Sequence, residues 1–245
     1  MLQILVQMHF YSCISLEEIS LPEGLKSISS QAFRNCSNLI EVIFPESLTK
    51  NWRKETFAEC SKLKKAELPE GISEIQEGTF DGCRNLKRVT LPDNVKYIRR
   101  QAFYGCENLV ELTLPKDLKE LGAETFWGIA KKITSITIPE GVTTLPEYLF
   151  NTCESLKTVT IPETVTEIDQ RAFQNCSSLT GIELPGGIIN IQEGTFSNCT
   201  ALKEIVIPEN VRNIGDNAFE RCSSLEKVIL PAVLKKYWKW NICFL

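Results

Sequence analysis

The stretch CESLKTVTIPETVTEIDQRAF, residues 153–173, decides the reading of the whole chain, because nearly every other segment is a worn copy of it. In slots it runs Cys-x-x-Leu-x-x-Val-x-Ile-Pro, then an aliphatic residue three after the proline, another three further on, and a small residue before a phenylalanine. The unit recurs about ten times. Phe10, Phe33, Phe57, Phe80, Phe103, Phe126, Phe150, Phe173, Phe196 and Phe219 are 23 residues apart, except for two gaps of 24. Ten prolines, from Pro22 to Pro231, keep the same clock, and so do Cys13, Cys36, Cys60, Cys83, Cys106, Cys153, Cys176, Cys199 and Cys222. Self-similarity at such a period means a solenoid or array before it means anything else.

Within the unit, Leu156 to Ile161 reads as a strand, with Val159 and Ile161 alternating with Thr158 and Thr160. Pro162 has no N–H to give to a ladder, so the chain turns there. The second half, Val165 to Ile168 before Ala172-Phe173, has apolar residues three apart, which suits a short strand or a tight helical turn. The expected fold is an α/β-type repeat solenoid, mainly β: a curved array with a parallel sheet on its concave face and short strands or 3-10 turns on the other side. Stacked turns rise by roughly 5 Å each, which makes an array about 50 Å long.

The slots Leu-x-x-Val-x-Ile-Pro-x-x-Val-x-x-Ile-x-x-x-Ala-Phe-x-x-Cys resemble leucine-rich repeats of the BspA type over almost the whole chain. The resemblance implies a curved solenoid with parallel strands on the concave face, and no catalytic residue. It also implies adhesin-like, surface-exposed or secreted bacterial or protist proteins that bind host or extracellular-matrix macromolecules. A structural spacer that displays another domain of a longer surface protein is the alternative.

A repeat array needs no internal boundary, so residues 1–245 read as one domain. The expectation is that this is a piece of a longer chain, since neither end carries an obvious polar cap. The opening MLQILVQMHF lacks a basic n-region and a small-residue cleavage site, and Leu2, Leu5 and Phe10 fit repeat slots instead. Localisation therefore does not follow from this chain. No transmembrane run is visible in the sequence, so direct membrane insertion is not expected. A net charge of −4 gives no pull toward nucleic acid.

Two places break the rhythm. The turn through Thr49-Lys50-Asn51-Trp52-Arg53-Lys54 gains a residue; it reads as an insertion absorbed by a bulge, with Trp52 folded into the vacated aliphatic slot, in preference to a basic bump facing a partner. The segment Phe126 to Lys132 gains a residue, puts Ile129 in place of the cysteine and moves the leucine slot to Ile133. Loop insertions are tolerated in repeat proteins, although they often lie on a binding face. At the end, Tyr237 still falls on a core slot, and the basic aromatic tail to Leu245 reads first as a cover over the open end.

The cysteines have no Cys-x-x-Cys pair that would converge on a metal, so no metal and no cofactor is expected. Neighbouring Cα atoms roughly 5 Å apart would allow a disulfide, but the slot asks for a small buried filler, and free thiols are the preferred reading. The Asn35, Asn175 and Asn198 sequons all arise from one repeat slot and read as consensus by-products. Enzyme chemistry is not expected: His9 is the only histidine, and nucleophilic triads need a positioned base. Glu23, Glu46, Glu70, Asp93, Glu140, Glu163 and Glu209 follow their prolines, which marks a solvated turn preference rather than a catalytic pair.

Binding is expected on the strand residues that point away from the core. The candidate site is Lys64, Lys65, Glu67, Lys87, Arg88, Thr90, Glu111, Thr113, Thr137 and Thr160. Lys64-Lys65 beside Lys87-Arg88 would make a cationic patch next to a threonine column, suited to an acidic protein, peptide or glycan partner, with Glu67 and Glu111 at its edges.

Overall fold

A computed structural model describes residues 10–49, 52–129 and 132–234. Leu2, Leu5, His9, Lys50 and the tail from Tyr237 to Leu245 lie outside the described residues. The chain is a parallel β-solenoid, each turn of which contributes one strand to a main row. In chain order the main row comprises β1 (Glu18–Ser20), β2 (Glu41–Ile43), β3 (Lys65–Glu67), β5 (Arg88–Thr90), β7 (Glu111–Leu112), β9 (Ser135–Thr137), β11 (Thr158–Thr160), β14 (Glu204–Val206) and β16 (Lys227–Ile229). A second row of two-residue strands comprises β4 (Glu74–Ile75), β6 (Tyr97–Ile98), β8 (Glu120–Leu121), β10 (Thr144–Leu145), β12 (Glu167–Ile168), β13 (Asn190–Ile191) and β15 (Asn213–Ile214). The choice left open by the spacing of three is thereby settled: no helix forms among the described residues, and the second half of the unit makes short strands.

Pairing is parallel and in register by one repeat, as in Lys65 against Arg88 and Tyr97 against Glu120. Three places interrupt the main row. β2 and β3 do not pair across the inserted turn, β7 and β9 do not pair across Phe126–Ile133, and the turn with Gly181 forms no strand. A Cβ at Gly181 would meet no atom within 4 Å. Packing does not require glycine there; the missing side chain removes the cross-strand contact that would hold a strand.

The third side of the coil explains why so many phenylalanines are spaced so evenly. The residues two before and two after each phenylalanine of the periodic series from Phe33 to Phe219 adopt left-handed backbone, as at Gln31 and Asn35 (φ 58° and 60°) or Gly78 and Gly82 (61° and 68°). This alternation aims every second N–H along the solenoid axis. Gln31, Phe33 and Asn35 donate to the carbonyls of Lys54, Thr56 and Ala58 in the next turn, while Arg34 and Cys36 close tight turns onto Gln31 and Phe33. Every amide in the segment thus has a partner, as a buried backbone requires. The left-handed residues also stop the tight turns from joining into a helix.

Inside, the ten phenylalanines form one column with ring centroids 5.2–6.0 Å apart and interplanar angles of 3–19°. Leu25, Leu48, Ile72, Val95 and Leu118 stack beside it, fully buried. Trp52 is only 2% exposed and fills the slot that Ile28 and Ile75 hold in the neighbouring turns, stacked on Phe44 at 4.9 Å and edge-on to Phe57 at 5.3 Å. The inserted turn therefore feeds the core, and the cost is a buried indole N–H without a partner.

Cys13 is half-buried and the other eight described cysteines are buried; all nine are free. Each buried thiol does more than fill space: it donates to the carbonyl of the phenylalanine one turn back, from Cys36 to Phe10 at 2.9 Å through Cys222 to Phe196 at 3.1 Å. Burial pushes the Cys36 thiol up to about 11 and those of Cys60, Cys83, Cys106, Cys153, Cys176 and Cys199 further in the same direction. The sulfur stays protonated, which the donated bond requires. Ile129 breaks the column, and the Phe103 carbonyl keeps only the Cys106 N–H, at 3.2 Å.

Two outcomes are expected. Phe103→Ala or Phe173→Ala removes a fully buried ring and should cost about 3–5 kcal/mol, against about 0.5 kcal/mol or less for exposed Thr113→Ala. Urea midpoints of the three variants compare them directly, and equal shifts would mean that the faces have been assigned the wrong way round. The second outcome is that the eight buried thiols resist a thiol reagent until denaturant is added and then react without prior reduction, whereas half-buried Cys13 reacts in the native state.

Candidate functional site

Strands alternate faces, so the residues flanking the buried centre of each main strand stand on one exposed surface. Lys65 and Glu67 are on β3, Arg88 and Thr90 on β5, Glu111 on β7, Thr137 on β9 and Thr160 on β11. Lys64 and Lys87 immediately precede their strands and Thr113 follows β7; all ten are exposed. Register places Lys65 beside Arg88, Glu67 beside Thr90, Arg88 beside Glu111 and Thr137 beside Thr160. Thr113 and Thr137 lie on either side of the break between β7 and β9, yet both line one depression of about 560 Å³ with Thr160, Lys116 and Glu140. A neighbouring depression of about 430 Å³ is lined by Arg88, Thr90, Asp93, Glu111, Thr113 and Lys116.

The electrostatics of the face are more balanced than a row of cations. Lys65 Nζ lies 2.9 Å from Glu41 Oε1 and 4.0 Å from Glu67, and Arg88 Nε lies 2.5 Å from Glu111 Oε2. The hydrogen bond and charge of Glu41 hold Lys65 above its ordinary range, and the hydrogen bond from Arg88 holds the Glu111 carboxyl below its own. These pairs are solvent-exposed and cancel field more than they add stability. Lys64 and Lys87 are in none of the described ion pairs. They sit one turn apart, joined through the Lys87 N–H donating to the Lys64 carbonyl at 2.9 Å.

Sequence reasoning passed over Glu41 as a partner and Lys116 as a lining residue. The signals were present: Glu41 occupies the same column one turn before Lys65, and Lys116 is the one cation in a slot after proline that holds Glu or Asp in seven of the ten repeats. Glu23, Glu46, Glu70, Asp93, Glu140, Glu163 and Glu209 are all exposed on turns, as a solvated rim should be. The described part of the Lys50–Lys54 bulge offers exposed Arg53 and Lys54, the latter paired with Glu77.

One carboxyl has a strongly perturbed environment, and it lies away from this face, on the turn next to Phe80. Burial, followed by the charges of Glu59 and Glu124 and partly offset by Arg34, pushes Asp81 up to about 6. No group of three or more His, Cys, Asp or Glu among the described residues is arranged to hold a metal ion. The perturbation is a cost of the repeat slot. Because the folded-state value lies above the ordinary one of about 3.9, Asp81 favours folding most below pH 4 and loses that advantage as pH rises through about 6. Asp81→Asn should therefore stabilise the protein at pH 8 by about 1 kcal/mol, allowing for the partial exposure of the side chain, and do little at pH 4. Urea unfolding at the two pH values tests this, and a gain that is equal at both would remove the electrostatic account.

The sequence matches the model of the BspA type leucine-rich repeat region over residues 3–131 and 126–240. Among solved structures, it is similar to a leucine-rich cell surface protein of Faecalibacterium prausnitzii A2-165, with 28% identity over 92% of this chain and 70% of that one, and a TM-score of 0.59. The pneumococcal vaccine antigen PcpA shares the fold at 22% identity over 89% of this chain and 66% of that one, with a TM-score of 0.61. A leucine-rich repeat protein of Eubacterium ventriosum ATCC 27560 does so at 22% identity over 88% and 73%, with a TM-score of 0.52. A search of curated proteins finds no match.

Proposed function

This chain belongs to the family of BspA-type leucine-rich repeat proteins, and we propose that it is a non-enzymatic interaction module that binds an acidic macromolecule, protein or glycan, through its main strand face. The observation that carries the reading is the cationic edge of Lys64 and Lys87, exposed in adjacent turns and outside the described ion pairs, beside a face of threonines with two depressions. Lys65 and Arg88 contribute less, because Glu41 and Glu111 already neutralise them. The threonine hydroxyls suit a polar partner that both donates and accepts hydrogen bonds.

A place at the cell surface or outside the cell is part of the proposal. It is supported by the similarity to the F. prausnitzii cell surface protein; the described residues contain no helix long and apolar enough to cross a membrane. The display of carboxylates on solvated turns, recurring in seven of the ten repeats, supports a scaffold over an enzyme.

The test uses immobilised heparin and a panel of extracellular-matrix proteins. Wild type should be retained in a salt-dependent way, and Lys64→Glu/Lys87→Glu should bind at least about tenfold more weakly, with the difference largest at low salt. Thr113→Arg/Thr137→Arg, which fills the middle of the face, should also weaken binding to the protein partners. Both doubles change exposed residues and should unfold at the wild-type urea midpoint. Retention of wild type and both variants alike would move the site off this face, and no retention of wild type on any of these surfaces would favour the spacer role.

A further inference from the structure

The inserted turn at Phe126–Ile133 builds a second concavity that shares no lining residue with the depressions on the strand face. It has a volume of about 280 Å³ and lies against Tyr104, Gly105, Glu107, Trp127, Gly128 and Glu154, with Ile129 and Thr152 completing the wall. Tyr104 and Trp127 occupy the same repeat slot in successive turns, and Tyr148 continues the column. Ring centroids are 5.5 Å apart for Tyr104–Trp127 and 5.1 Å for Trp127–Tyr148. The first pair is tilted by 44°, which leaves part of the aromatic surface uncovered; the second is stacked at 23°.

The floor is bare backbone. Gly105 and Gly128 take the left-handed slot two residues after the phenylalanine, a slot that Asn35, Glu59, Thr152 and Arg221 fill elsewhere with the same handedness. A Cβ at Gly128 would meet nothing, and one at Gly105 would come no closer than 3.9 Å to any atom. Packing therefore does not demand glycine at either place, and the two glycines together open a trough beside the rings. Its polar lining mostly accepts hydrogen bonds. Glu107 and Glu154 are exposed carboxylates outside the described ion pairs, and the Thr152 hydroxyl already donates to Asn151 Oδ1 at 2.6 Å. Arg84, one turn before Glu107 in its column, and Lys132 in the inserted turn are exposed but do not line the trough.

Aromatic surface together with carboxylates and few donors is complementary to a cation that carries several N–H groups. The chain already uses this chemistry at the far end of the same column, where the Arg171 guanidinium lies 5.7 Å from the centre of the Tyr148 ring and donates to its hydroxyl at 2.8 Å. We propose that the trough between Tyr104–Trp127 and Glu107/Glu154 is a binding site for an arginine or lysine side chain of a basic peptide segment. The guanidinium or ammonium would lie against the Trp127 edge of the trough and donate to the two carboxylates. The site is independent of the strand-face reading and opposite to it in charge preference.

Calorimetric titration of the whole chain with a tetra-arginine peptide tests it. Glu107→Gln/Glu154→Gln and, separately, Trp127→Ala should each weaken binding by about fivefold to tenfold, while Trp127→Phe keeps a ring and most of the affinity. A control double, Glu163→Gln/Glu209→Gln, removes the same charge from exposed turns elsewhere and should change affinity by less than about twofold. Equal loss in the two glutamine doubles would reduce the effect to net charge and overturn the site. So would absence of wild-type binding to the peptide, or a Trp127-dependent affinity for a neutral maltooligosaccharide in its place. The glutamine doubles change only exposed, isosteric side chains, so the outcome does not hang on whether Trp127→Ala folds.

Discussion

Parallel stacking in register is the constraint on which every feature of this molecule depends. A residue's neighbour along the axis is the one in the same slot of the next turn, as Lys65↔Arg88↔Glu111 and Ile75↔Ile98↔Leu121 show. A slot that must be buried therefore becomes a buried column, and one mismatch is felt by two neighbours. This is why the phenylalanines are so uniform and why their rings repeat within 5.2–6.0 Å. It is also why exposed slots sort into ladders of charge or hydroxyl, because side chains brought that close either attract or repel.

The same constraint explains a backbone that would otherwise look strained. Residues held in left-handed conformation cost of order 1 kcal/mol or more when they carry a Cβ. The repeat nevertheless uses two per turn, with Gln31, Glu55, Tyr148 and Arg171 among them. The alternation turns the N–H groups of the phenylalanine and its second neighbours onto the next turn, where an unpaired buried amide would cost about as much or more. The cysteine completes the arrangement by supplying a donor to the phenylalanine carbonyl, something alanine of similar size lacks.

Much of this could be read in the sequence. The period identified the solenoid, and the slot arithmetic placed Trp52 in the vacated aliphatic slot of the core and predicted a face made of the residues around Val89 and Val159. Less visible were interactions whose chemistry is not written in residue type. The left-handed pair was hidden because only some turns use glycine there; the rest use Gln, Asn, Glu, Ser, Thr, Tyr or Arg. The thiol bond was hidden because a buried cysteine reads equally well as filler. The neutralisation of Lys65 and Arg88 needed the register as well as the column, since a carboxylate one turn away matters only when the side chains meet. The aromatic column beside the trough drew on two slots: Tyr104 and Trp127 each follow their phenylalanine by one, but Tyr148 joins them from a slot three residues earlier, two before Phe150.

The two inserted residues show how the sides of the coil divide the work of stability and of variation. On the phenylalanine side the ladder runs on: Phe33 donates to Thr56 and Phe126 to Leu149 across the two irregular intervals, as Phe103 does to Thr125 across a regular one. On the strand side the same insertions interrupt pairing between β2 and β3 and between β7 and β9. The difference follows from packing. The phenylalanine column is fully buried and its tight turns have no slack, so an extra residue has to be accommodated elsewhere in the turn. The strand face has only two- or three-residue strands, each with a single inward-facing residue, and losing a few ladder bonds there leaves the exposed groups in contact with water. Sequence change is thus steered by the core toward the exposed surfaces, where altered spacing makes new concavities such as the depression shared by Thr113 and Thr137 and the trough beside Trp127. A rigid spine with an adjustable exterior is what lets one repeat present different surfaces without a change of fold.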